Sequence, residues 1–101
     1  MNSIIADNID SLRQLCLEHG VVHLAVFGSV LGDGFGVDSD IDFLVIFSRN
    51  EKTNAFHQYF DFKEALEKLL NREVDLVCQT AIQNPFFKRE VEAQSRTVYA
   101  A

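Results

Sequence analysis

Asp40 and Asp42 are the residues of this chain whose type and spacing point most directly to chemistry. They open the apolar run Phe43-Leu44-Val45-Ile46-Phe47, which predicts a strand. Successive strand side chains alternate between faces, so the two carboxylates share one face and Ile41 takes the other. Like charges held that close repel unless something neutralises them. A divalent cation with oxygen ligands does so, and Mg²⁺ keeps coordination positions open for phosphate oxygens. Upstream, Val26-Phe27 runs straight into Gly28-Ser29. A strand that ends in glycine and a small hydroxyl residue presents backbone N–H groups that suit an anion such as phosphate. Residues 30–39 separate the two features, a length that can fold back and bring cation site and anion site onto one substrate.

Positioning such a pair requires a sheet and helices to cover it. In residues 3–20 the apolar Ile5, Ile9, Leu12, Leu15 and Cys16 recur at intervals of three and four, which predicts one helix with Ser3 as N-cap and Gly20 just past its end. Residues 21–27, interrupted only by His23, read as a strand covered on both faces. Residues 40–47 form the second strand, and the polar residues 48–54 a surface loop. A second helix is expected from about residue 53 or 54 to 70, on the spacing of Phe56, Tyr59, Phe60, Lys63, Leu66 and Leu70. Residues 72–77 form a third strand in which Asp75 stands on the face opposite Val74 and Leu76. A helix between two strands is the crossover that a parallel pair needs. If the third strand neighbours the second, Asp75 joins Asp40 and Asp42 in one carboxylate cluster. Pro85 marks a turn or helix start, a short helix follows to Ala93, and residues 97–99 end extended.

The whole composition limits what such a site could serve. A chain of 101 residues, 48% of them hydrophobic, fits one domain over residues 1–101 with a core of its own. No apolar run approaches the ~20 residues of a membrane helix. The first ten residues carry two acids and no base, unlike a signal peptide. A net charge of −6 offers no broad attraction to a long nucleic acid. Cys16 and Cys78 have no metal-site or redox spacing and read as reduced thiols of a cytoplasmic protein. His19 reads as a helix-end residue and His23 as a core histidine, while Lys88, Arg89 and Arg96 read as a solvated basic face rather than as phosphate ligands.

Gly28-Ser29, ten residues, then Asp40-x-Asp42 and Phe43-Leu44-Val45 together resemble the signature of the polymerase-β-type nucleotidyltransferases, and the short chain is similar to their minimal nucleotidyltransferase (MNT) branch. The resemblance extends to Val74-Asp75-Leu76-Val77, where family members place a third carboxylate, and to the C-terminal helix and apolar-Tyr ending. It implies an α/β (α+β) fold: a small mixed sheet of three to four strands with helices packed on one side, the polymerase-β-like core. It also implies transfer of a nucleoside monophosphate, AMP from ATP, to a hydroxyl acceptor, with two Mg²⁺ ions. Asp40, Asp42 and Asp75 would be the catalytic and metal-binding residues, and Gly28 and Ser29 would hold the nucleotide's phosphates. The expected partner is a HEPN-domain protein of a two-component toxin–antitoxin pair; a homo-oligomer is compatible with the sequence.

One departure keeps a second reading open. Many family members carry an arginine in the turn after the Gly-Ser pair, whereas Val30, Leu31, Gly32 and Asp33 stand in this region. On that second reading the chain is a catalytically weak MNT-fold module that neutralises a HEPN partner by contact.

Overall fold

The computed structural model of the chain describes residues 3–28 and 39–101. The expected first helix is broken in two, α1 (Ser3–Ala6) and α2 (Ile9–Glu18). Asn8 explains the break. Its side-chain Nδ2 donates to the Ile4 carbonyl at 2.7 Å and its backbone N–H to that of Ile5 at 3.2 Å, closing α1 before α2 begins. Asparagine competes with the helical backbone in this way, and the apolar spacing alone does not register it. Across the break, Ile5, Leu12 and Cys16 are still fully buried in the same core.

Strand β1 (Val21–Phe27) follows a left-handed Gly20 (φ +70°) and is an inner strand of a four-stranded sheet of order β3-β2-β1-β4. It pairs antiparallel with β2 (Ile41–Phe47) on one side and with β4 (Arg96–Ala100) on the other. Helix α3 (Ala55–Leu70) carries the chain from β2 to β3 (Val74–Cys78), and these two strands are parallel, as a crossover helix requires. The Asn54 carboxamide caps α3 by accepting from the His57 N–H at 3.0 Å, and Asn71, in the left-handed region at φ 53°, ends it.

Strand alternation divides the core. Leu24, Val26, Ile41, Phe43, Val45, Val74, Leu76 and Val98 point to the face covered by α1, α2 and α3, where Phe62 and Leu66 of α3 are also fully buried. Each such side chain contributes roughly 1.5–3 kcal/mol on removal from water. Tyr59 fastens α3 to the sheet by donating its hydroxyl to the Leu76 carbonyl at 2.6 Å. Ala25 and Leu44 point to the other face and pack with Val91 of α4 (Pro85–Gln94). Helix packing is thus concentrated on one side, as expected, with α4 adding a smaller cluster opposite. Pro85 occupies the first turn of α4, and the Asn84 side chain accepts from the Phe86 and Phe87 N–H groups at 2.9 and 3.2 Å. Among the described residues, no helix is long and apolar enough to cross a membrane.

Candidate active site

The register of the three central strands places the expected carboxylates. Phe27, the last residue of β1, lies opposite Asp42, and Asp42 lies opposite Asp75 of β3. One step further along, Ala25, Leu44 and Val77 stand in one row, so Asp42 and Asp75 share their face with the small cluster under α4. The face that begins as two acids at the sheet's end becomes core within one alternation. Asp42 is half-buried, while Asp75 and Asp40, which precedes β2, are exposed.

Burial first, then the charges of Asp75 and Asp40, hold the Asp42 carboxyl above the usual carboxylate range. Asp75 and Asp40 therefore both act electrostatically on Asp42. Tyr59 is likewise raised, by burial and then by Cys78 and Asp75. Among the described residues, no three His, Cys, Asp or Glu side chains are drawn together at metal-ligand spacing. The donor chemistry nevertheless fits a hard divalent cation: oxygen donors only, two of them in register, with mutual repulsion for a cation to relieve.

Gly28 has a structural reason that the sequence did not reveal. Its backbone is left-handed at φ +76°, and a Cβ there would fall on Oδ2 of Asp42. The Asp42 carboxylate is accommodated because residue 28 has no side chain. Ser29 and residues 30–38 lie outside the described residues, so the expected phosphate-holding Ser29 and the region of the missing arginine are not placed.

In the sequence Arg72 has no part beyond the start of a strand. It precedes β3 and donates from Nη1 to the Ser39 carbonyl at 3.1 Å, beside Asp40. A separation of 33 residues hides that contact from any local pattern. His23 stays apart from the carboxylates, near the other end of β1, with Nε2 3.3 Å from the Thr97 hydroxyl. Arg96 is exposed opposite Val26, Lys88 is half-buried and Arg89 is exposed. Cys16 is buried and Cys78 half-buried, both as free thiols, and burial pushes the Cys16 thiol up to about 12.

The family described as the nucleotidyltransferase domain matches residues 9–98. The protein adenylyltransferase MntA of Thermococcus cleftensis is 32% identical over 88 residues, covering 87% of this chain and 83% of that protein. A candidate protein adenylyltransferase of Methanocaldococcus jannaschii is 36% identical over 75 residues, 74% of each chain. Among solved structures, a candidate minimal nucleotidyltransferase superposes with a TM-score of 0.77 at 31% identity, covering 95% of both chains. A chain from the complex of tri-AMPylated Shewanella oneidensis HEPN toxin with MNT antitoxin superposes with a TM-score of 0.67 over 96% of this chain and 73% of that one. At 17% identity, that likeness shows the fold alone.

Proposed function

Because this chain belongs to the nucleotidyltransferase domain family and is a nucleotidyltransferase, we propose that it transfers AMP from ATP to a hydroxyl group of a HEPN-domain protein partner. The observation that carries the reading is the register of Asp42 against Asp75, with Gly28 leaving room for the Asp42 carboxylate. Relatives named as protein adenylyltransferases support AMP as the transferred group. The fold shared with a chain from a complex holding an AMPylated HEPN toxin supports the partner class. Free Cys16 and Cys78 suit a reducing cytoplasm.

Asp40, Asp42 and Asp75 would hold Mg²⁺, which when bound supplies neutralisation of phosphate charge and activation of the attacking oxygen. The chain's own contribution is positional. Backbone N–H groups at Gly28 and Ser29, with the Ser29 hydroxyl, hold the β- and γ-phosphates. Asp75, exposed on the sheet face, meets the acceptor and takes the proton of its hydroxyl on a carboxylate oxygen. The acceptor oxygen bonds to the α-phosphorus as the bond to the bridging oxygen breaks, and pyrophosphate leaves with that electron pair.

Incubation of the purified chain with α-labelled ATP, Mg²⁺ and a HEPN-domain protein tests this. Labelled partner that disappears with Asp42→Asn is the expected result; equal labelling by that variant rejects the site. The absence of any Lys or Arg in residues 30–39 favours the contact-only alternative. Calorimetric titration with ATP and Mg²⁺ separates the two, since saturable binding lost in Asp40→Ala supports the enzyme and no binding at millimolar ATP supports the contact module.

A further inference from the structure

Asp40 has a mechanical problem that Asp42 and Asp75 do not share. The β2–β3 ladder begins at Ile41 opposite Val74, so Asp40 lies just beyond the regular pairing that fixes the other two carboxylates. Two hydrogen bonds flank it instead. On one side the Arg72 guanidinium donates from Nη1 to the Ser39 carbonyl at 3.1 Å. On the other the Ile41 N–H donates to the Glu73 carbonyl at 3.2 Å. The residues before and after Asp40 are thereby tied to the two consecutive residues that lead into β3 and Asp75.

We infer that Arg72 is a positioning residue: it clasps Ser39 so that the backbone of Asp40 is fixed at the end of the strands that carry Asp42 and Asp75, from where its carboxylate can turn in to a divalent cation, given the cation-assisted transfer proposed above. A guanidinium suits this work, because it stays charged and its planar fork is pre-organised. A hydrogen bond from a charged donor to a carbonyl is also stronger than a neutral one. Residues 30–39 contain no Lys or Arg, and the guanidinium on the Ser39 carbonyl is supplied by the residue two before β3. The clasp acts through the backbone of a cation ligand, the kind of outer-shell support whose loss typically weakens metal binding by about 10- to 100-fold.

The test uses the full chain with Arg72→Met and Arg72→Lys. Two quantities are read: amide hydrogen exchange at Ile41 in the cation-free protein, and affinity for Mn²⁺ followed by electron paramagnetic resonance. Met is expected to speed Ile41 exchange by about tenfold while the β1–β2 amides keep their protection. It should also weaken Mn²⁺ binding by at least about tenfold, with Lys restoring part of both. Unchanged Ile41 exchange in the Met variant overturns the clasp. Faster exchange with unchanged Mn²⁺ affinity reduces Arg72 to a structural tie and overturns its positioning role. No rescue by Lys, with both quantities as poor as in Met, also counts against it. Failure of the wild-type chain to bind Mn²⁺ at all would instead strike the proposed transfer chemistry, and this inference would fall with it.

Discussion

Asp42 of β2 stands directly opposite Asp75 of β3 across a parallel ladder, and both carboxylates leave the same face of the sheet. Such a pair raises the free energy of the folded chain, since burial and the charges of Asp75 and Asp40 all disfavour ionisation of Asp42. A fold that keeps an unfavourable group has a use for it elsewhere, and the use that fits oxygen donors of this charge is cation-assisted phosphoryl chemistry.

Replacing Asp42 by Asn should therefore separate stability from activity. The amide keeps the shape and removes the repulsion, so the folding free energy of the cation-free protein should hold or improve, by less than about 1 kcal/mol for a partly solvated, screened group. Transfer of the labelled nucleotide should fall by at least about a hundredfold, since losing a cation ligand itself should cost no less than the ~10- to 100-fold typical of losing a ligand's supporting partner. A variant that melts lower and transfers normally would contradict both halves.

The pH dependence carries the same sign. With its folded pKa above the unfolded value, Asp42 contributes most favourably below the unfolded carboxylate pKa, and that contribution is lost as pH rises through the raised folded pKa. The stability advantage of Asp42→Asn should thus be present at neutral pH and fade on acidification. Affinity for Mn²⁺ should move the other way, falling as protons compete for the carboxylates between about pH 7 and pH 4. Calorimetry across that range checks both; a flat profile excludes Asp42 as a ligand.

Much of this arrangement was legible in the sequence because it follows from the two-residue period of a strand. Asp42 and Asp75 can be assigned to faces without coordinates and the crossover helix implies a parallel pair, whereas the adjacency of β3 to β2 stays conditional in the sequence and Asp40, expected within the strand, lies just before it. Contacts that depend on side chains meeting across long separations were not legible. The Arg72–Ser39 bond is one, and the packing of Val91 onto Ala25 and Leu44 is another. The break at Asn8 escaped because the apolar spacing runs straight through it. The sequence offers Gly28 as a source of N–H groups, and the geometry gives it a second duty, leaving space for Asp42.

That second duty makes Gly28→Ala informative. An alanine at φ +76° costs about 1–2 kcal/mol in backbone strain, and its Cβ would displace the Asp42 carboxylate. The melting temperature should drop by roughly 4–8 °C per kcal/mol in a chain of this size. Mn²⁺ affinity should fall as well. In the Asp42→Ala background the steric part of the penalty should vanish while the backbone part persists, so the two substitutions should be non-additive in thermal melts. Strict additivity would mean that the carboxylate does not rest against Gly28.

The scaffold behind the site can be tested separately from the chemistry. Phe62 is fully buried under α3, with its ring centroid 5.8 Å from that of Phe47 of β2 and 5.5 Å from that of His19. Phe62→Ala should cost about 3–5 kcal/mol, much of the ~5–15 kcal/mol that holds a small domain together. Leu17, 65% exposed on α2, is the matched control, and Leu17→Ala should stay within about 0.5 kcal/mol. Since α3 is the crossover that sets β3 beside β2, loss of Phe62 should lower total transfer in proportion to the fraction folded and leave kcat per folded molecule near that of the parent chain. Denaturant melts combined with active-site titration measure the two factors. A fall in kcat per folded molecule would mean that packing beneath the sheet also tunes the spacing of Asp42 and Asp75.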